Sequence, residues 1–123
     1  MMSIRSQQYE TMELEQHNKF VRNVSEHCRS NWEEQTQDMD DEQLSHYIEK
    51  QLISARSHNI RFENDLVHYV NLSFVWGEKF GTNNKLEEIS AILNNKTLEG
   101  PAKIFQLRNY TKEYLTPGSE HAT

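Results

Sequence analysis

Apolar positions recur at helical spacing along most of the chain. Between about Gln8 and Gln35, the residues Leu14, Val21, Val24, Cys28 and Trp32 stand at steps of seven, three, four and four, and Phe20 widens the stripe. That period marks one face of an α-helix whose other positions are polar. A second helix is predicted from Asp40, whose side chain can cap the first turn while Gln43, three residues on, reaches back in a capping box. The carboxylates between Asp38 and Glu42 also suit the positive end of a helix. Leu44, Tyr47, Ile48, Leu52 and Ala55 form its apolar face, and Ser57-His58-Asn59 ends it, because Asn accepts the left-handed cap conformation.

A third helix is expected from Phe62 or Glu63 to Trp76. Phe62, Leu66, Tyr69, Val70, Ser73 and Phe74 share one face, while Val67, Leu72, Val75 and Trp76 are apolar elsewhere. A helix apolar on more than one side is the most buried of its fold. Gly77 stops it, and Gly81 closes a turn around Phe80. A short fourth helix, from about Asn83 to Leu93, presents Leu86, Ile89 and Leu93. A fifth begins between Thr97 and Pro101, where proline is tolerated in a first turn, and carries Ile104, Phe105, Leu107, Tyr110, Tyr114 and Leu115 before Pro117-Gly118. The pattern therefore predicts an all-α, single-domain helical bundle of about five helices over residues 8–116. It is expected to have a flexible start at 1–7 and a disordered tail at 117–123.

Composition sharpens this picture. Of 123 residues, 35% are hydrophobic, and only four are Gly and two Pro. The core must then be thin and drawn from narrow stripes, so a partner is expected to complete it, either another protein or a second copy in a homodimer. The net charge of −6 with no basic stripe argues against nucleic acid, and no apolar run is long enough for a membrane span. A single cysteine, Cys28, suits a reducing compartment, and a cytoplasmic location is expected.

The chemistry-bearing residues do not assemble into a catalytic pattern. Six histidines are scattered, without HExxH. Asp65-x-x-His68 and Glu13-x-x-x-His17 each pair two potential ligands, but helical carboxylate centres need such pairs on several helices. Asp38-Met39-Asp40-Asp41-Glu42 lacks the glycine and terminal glutamate of a calcium loop. Cys28 lies on an apolar stripe, no G-x-S-x-G elbow is present, and Gly77 and Gly81 precede no Lys-Ser/Thr. No enzyme, metal or cofactor is expected.

Aromatic density between Ile60 and Gly81 is the remaining signal. Phe62, Tyr69, Phe74, Trp76 and Phe80 fall in nineteen positions. A core helix followed by a glycine turn accounts for part of that density. Trp and Tyr are also common interface anchors, and Trp32, Phe62, Tyr69, Trp76, Phe80, Tyr110 and Tyr114 are the candidate partner-binding residues.

The same region carries a resemblance. Ala55-Arg56, Ile60, Glu63, Asp65-Leu66, Tyr69, Leu72, Phe74, Gly77 and Phe80, with Ile89 to Asn94 downstream, resemble a group of small bacterial proteins encoded beside type VI secretion spike, adaptor-chaperone and effector genes. The likeness spans roughly residues 33–95 and departs from the group's pattern at Gly81-Thr82-Asn83-Asn84, where an Asp-rich, Pro-containing segment is usual. The resemblance implies an accessory role, a co-adaptor or chaperone helping an adaptor or effector load on the spike. An alternative is an immunity protein that masks a toxin's basic cleft with Glu33, Glu34, Asp38, Asp40, Asp41 and Glu42.

Overall fold

Reciprocal hydrogen bonds open the helix that begins after Asp40. The Gln43 N–H donates to Asp40 Oδ1 at 2.7 Å, and the Asp40 N–H donates to Gln43 Oε1 at 2.9 Å. In this computed structural model, residues 2–82 and 86–115 are described, with side chains from residue 13 onward. Among the described residues the structure is all-helical, without strands: α1 Met2–Asn31, α2 Glu33–Thr36, α3 Asp41–Ser57, α4 Glu63–Trp76, α5 Glu87–Leu93 and α6 Gly100–Leu115. The chain groups into two compact units, Met1–Glu49 and Lys50–Thr123, and the division falls inside α3.

In the first unit, Val21, Val24 and Cys28 of α1 and Leu44 and Ile48 of α3 are buried, together with Thr36. α1 begins at Met2, so helical backbone extends through most of the segment where the pattern places a flexible start; no Gly or Pro interrupts residues 2–7. Leu14, the first member of the predicted stripe, is exposed. The single long helix expected to Gln35 is broken at Trp32, which takes φ −127° and ψ 50°. The Trp32 carbonyl accepts both the Thr36 N–H at 3.0 Å and the Thr36 hydroxyl at 2.8 Å. Arg29 then closes the short α2 by donating to the Thr36 carbonyl at 2.5 Å, and it reaches Asp41 at 3.1 Å. This side-chain competition for backbone carbonyls, invisible to periodicity, makes two helices of one.

In the second unit α3 ends in a Schellman motif. The Ile60 N–H bonds the Ala55 carbonyl, the Asn59 N–H bonds the Arg56 carbonyl, and Asn59 takes φ 64°. Ala55 and Ile60 are both fully buried. No residue of α4 from Asp65 to Trp76 is fully exposed, as its two-sided apolar pattern requires. Gly77, at φ 110°, ends α4.

The following turn is fastened to α3. Gln51 Nε2 donates to the Glu78 carbonyl at 2.7 Å, His58 Nε2 meets the Gly81 carbonyl at 2.9 Å, and Phe80 is buried. Gly81 lies above the Ser54–Tyr69 hydrogen bond so closely that a Cβ there would stand 2.0 Å from the tyrosine oxygen.

α6 starts against the cap of α3. A Cβ on Gly100 would stand 2.6 Å from the Asn59 carbonyl oxygen, and the buried Lys103 donates to the His58 carbonyl at 2.9 Å. Burial holds that ammonium's pKa below its ordinary 10.5. α6 thus begins beside the start of α4 and meets α4's last residue at Thr111, so the two helices run parallel. The predicted start of the fourth helix at Asn83 and the predicted tail at 117–123 lie outside the described residues.

Candidate functional site

Three of the seven candidate anchors converge where α4 and α6 end. Trp76 and Tyr110 stack at 5.7 Å between centroids with 22° between planes. Tyr114 tilts against Trp76 at 5.0 Å and against Tyr110 at 6.3 Å. Tyr110 and Tyr114 share a face because they are four residues apart on α6. The indole is held by a relay: Trp76 Nε1 donates to Thr111 Oγ1 at 2.8 Å, and that hydroxyl donates to the Leu107 carbonyl at 2.7 Å. The Tyr110 phenol lies near Glu88 of α5. Its pKa is pushed up by desolvation first, then by the charge of Glu88, by Tyr114, and by its hydrogen bond to the Glu88 carboxylate.

The cluster is fixed in place yet open to solvent. Tyr114 is 47% exposed and the adjoining Leu115 58%, whereas Trp76 and Tyr110 are half-buried. An aromatic surface whose indole is already held in place can receive a partner at little entropic cost.

The other four candidates stand elsewhere. Tyr69 and Phe80 pair at 4.7 Å and 40° but are fully buried, so they are core residues and not contact residues. The reason is Gly81, whose missing side chain lets the turn close over Tyr69 and draws Phe80 inward. Phe62 is 67% exposed but caps the far end of α4, about 20 Å along that fourteen-residue helix from Trp76. Trp32 is half-buried at the α1–α2 break in the first unit.

Sequence reasoning passed over Thr111 and Glu88. Thr111 follows Leu107 by one helical turn and so shares its face, a signal that was available. The approach of Glu88 depends on how α5 packs, which spacing does not reveal.

A concavity lies in the first unit. α1 lines it with Asn18, Val21, Arg22, Ser25, Glu26 and Arg29, facing Asp41, Ser45 and Glu49 of α3 around about 540 Å³. The His17–Glu49 pair at 2.6 Å and the Arg29–Asp41 pair at 3.1 Å stand at its two ends. Its lining mixes both charges, with Arg22 and Arg29 among Glu26, Asp41 and Glu49. Among the described residues no three His, Cys, Asp or Glu side chains converge as metal ligands, and no helix is long and apolar enough to cross a membrane. Cys28 is buried, and burial pushes its thiol up to about 11, with the Arg29 charge pulling the other way. An inert thiol of this kind packs as a small hydrophobe.

Compared with known proteins, the chain matches no family model, no curated protein and no solved structure.

Proposed function

We propose that this protein is a non-catalytic, protein-binding accessory of bacterial type VI secretion. As a co-adaptor or chaperone, it helps an adaptor or effector load onto the spike and docks its partner on the Trp76–Tyr110–Tyr114 face. The observation that carries docking is the pre-set aromatic stack with a half-exposed tyrosine at its edge. The secretion setting is supported by the resemblance across residues 33–95. Most of that pattern's apolar positions, Ala55, Ile60, Leu66, Tyr69, Leu72 and Phe80, are core, so the resemblance lies in packing positions and the contact surface is assigned to the shared end of α4 and α6.

Co-expression with neighbouring spike, adaptor and effector proteins tests the proposal. A complex is expected, and Tyr114→Ala should release it while helicity is kept. No complex with any of the three sinks the secretion role.

Immunity is a second reading, favoured by one observation: Glu33, Glu34, Asp38, Asp40, Asp41 and Glu42 are all exposed within one short stretch of the first unit. An immunity protein rescues cells that express the toxin, whereas an accessory is needed for secretion and gives no rescue.

A further inference from the structure

We infer that the Trp76–Tyr110–Tyr114 face, with the Glu88 carboxylate at its edge, receives an arginine side chain from a basic segment of the protein partner. The inference rests on the docking reading and adds the partner's chemistry to it. Aromatic faces carry the negative end of a quadrupole, and a cation within about 6 Å of a ring centroid is attracted to it. Three such rings stand 5.0 to 6.3 Å from one another here, and Tyr114, 47% exposed at their edge, turns ring surface to solvent.

A carboxylate completes the recognition. Glu88 is exposed and already touches the Tyr110 phenol. One hydrogen bond leaves most of a carboxylate's acceptor positions open. A guanidinium stacks by its plane and donates by its edge, which an ammonium cannot do together, so arginine suits the site better than lysine. Arg108 and Lys112 each stand two residues from Tyr110, about 200° around the helix axis, and so belong to the opposite face. A net charge of −6 adds long-range attraction for a basic segment.

The probe is a dye-labelled hexa-arginine peptide, followed by fluorescence anisotropy at low salt, with hexa-citrulline as its neutral isostere and hexa-lysine alongside. The full-length protein should bind hexa-arginine more tightly than hexa-lysine and leave hexa-citrulline unbound. Tyr114→Leu keeps the charge and an apolar side chain but removes a ring face, and should weaken hexa-arginine binding about two- to fivefold. Glu88→Gln should weaken it as well, and circular dichroism should show both variants still helical.

Failure to bind hexa-arginine, equal binding of hexa-citrulline, or unchanged affinity in both variants overturns the inference. The two readings separate on the co-expressed complex. If Tyr114→Ala releases the partner while Tyr114→Leu and Glu88→Gln hold it, docking stands and arginine recognition falls. If Tyr114→Ala also holds it, the docking face itself is misplaced.

Discussion

Thr111 gives its hydroxyl a double task in holding Trp76: the oxygen accepts the indole N–H at 2.8 Å while its proton goes to the Leu107 carbonyl at 2.7 Å. Both roles of the hydroxyl are used, so the orientation of the indole is decided by α6 itself. The stack is thereby prepared before any partner arrives, and that order of events makes it a surface for recognition as well as packing.

Thr111→Val keeps the shape of the side chain but strands the half-buried indole N–H. Loss of one partner from such a pair costs about 1 to 3 kcal/mol. Urea denaturation should show that drop, and near-ultraviolet circular dichroism should show a looser tryptophan environment. An unchanged spectrum would mean that ring packing alone holds Trp76.

Gly81→Ala should destabilise the second unit by about 1 to 3 kcal/mol, the usual cost of forcing a methyl group into filled space. The nearest obstacle is the Tyr69 hydroxyl, 2.0 Å from the added carbon, followed by Ser54 Oγ at 2.6 Å. Adding Tyr69→Phe removes that obstacle, so the double variant should be more stable than the sum of the two single losses predicts. Strict additivity in the cycle would contradict the proposed clash.

Asp40→Ala should cost about 0.5 to 2 kcal/mol through loss of the cap at the start of α3. Gln43→Ala removes the weaker, return half of the capping box and should cost less. Thermal melts of the two variants rank them directly.

Alkaline conditions should weaken the fold. Burial raises Cys28 from the ordinary thiol value of 9.0 to about 11, and burial also raises Tyr69 above 10.0. The unfolded chain ionises first, so the stability these groups contribute is present below the unfolded values and is lost as pH rises through the folded ones. Lys103 acts in the opposite sense, since its lowered pKa makes its buried charge costly until pH approaches 10.5. Cys28→Ala should therefore flatten the fall in urea midpoint between pH 9.0 and about 11, whatever it costs at neutral pH.

The helical fold was legible where local chemistry decides. The Asp40–Gln43 box, the Asn59 cap and the stop at Gly77 are each written in one or two side chains. The two-sided apolar pattern of α4 announced its burial. Less was legible where two elements compete for one group. The break at Trp32 depends on Arg29 and Thr36 reaching backbone carbonyls, and spacing carries no trace of that. Lys103 shows the same limit, since a lysine becomes a buried donor only because α6 starts beside the His58 carbonyl, just past α3.

For the aromatics, spacing told which residues share a helical face but not which face a turn would cover. Tyr69 and Phe80 went inward beneath Gly81, and Tyr110 and Tyr114 stayed outside with Trp76. Phe80→Ala is accordingly a core truncation, not a probe of binding.

The close seat of Gly100 on the Asn59–Ile60 backbone has a bearing on how this surface can change. α6 is a ruler held at two marks, Gly100 at one end and Thr111 eleven positions along. One residue inserted between the marks would rotate everything beyond it by about 100° and advance it about 1.5 Å. The same tyrosines would then point away from the indole, and the face would vanish with every one of its residues still encoded. Its identity lies in phase as much as in composition.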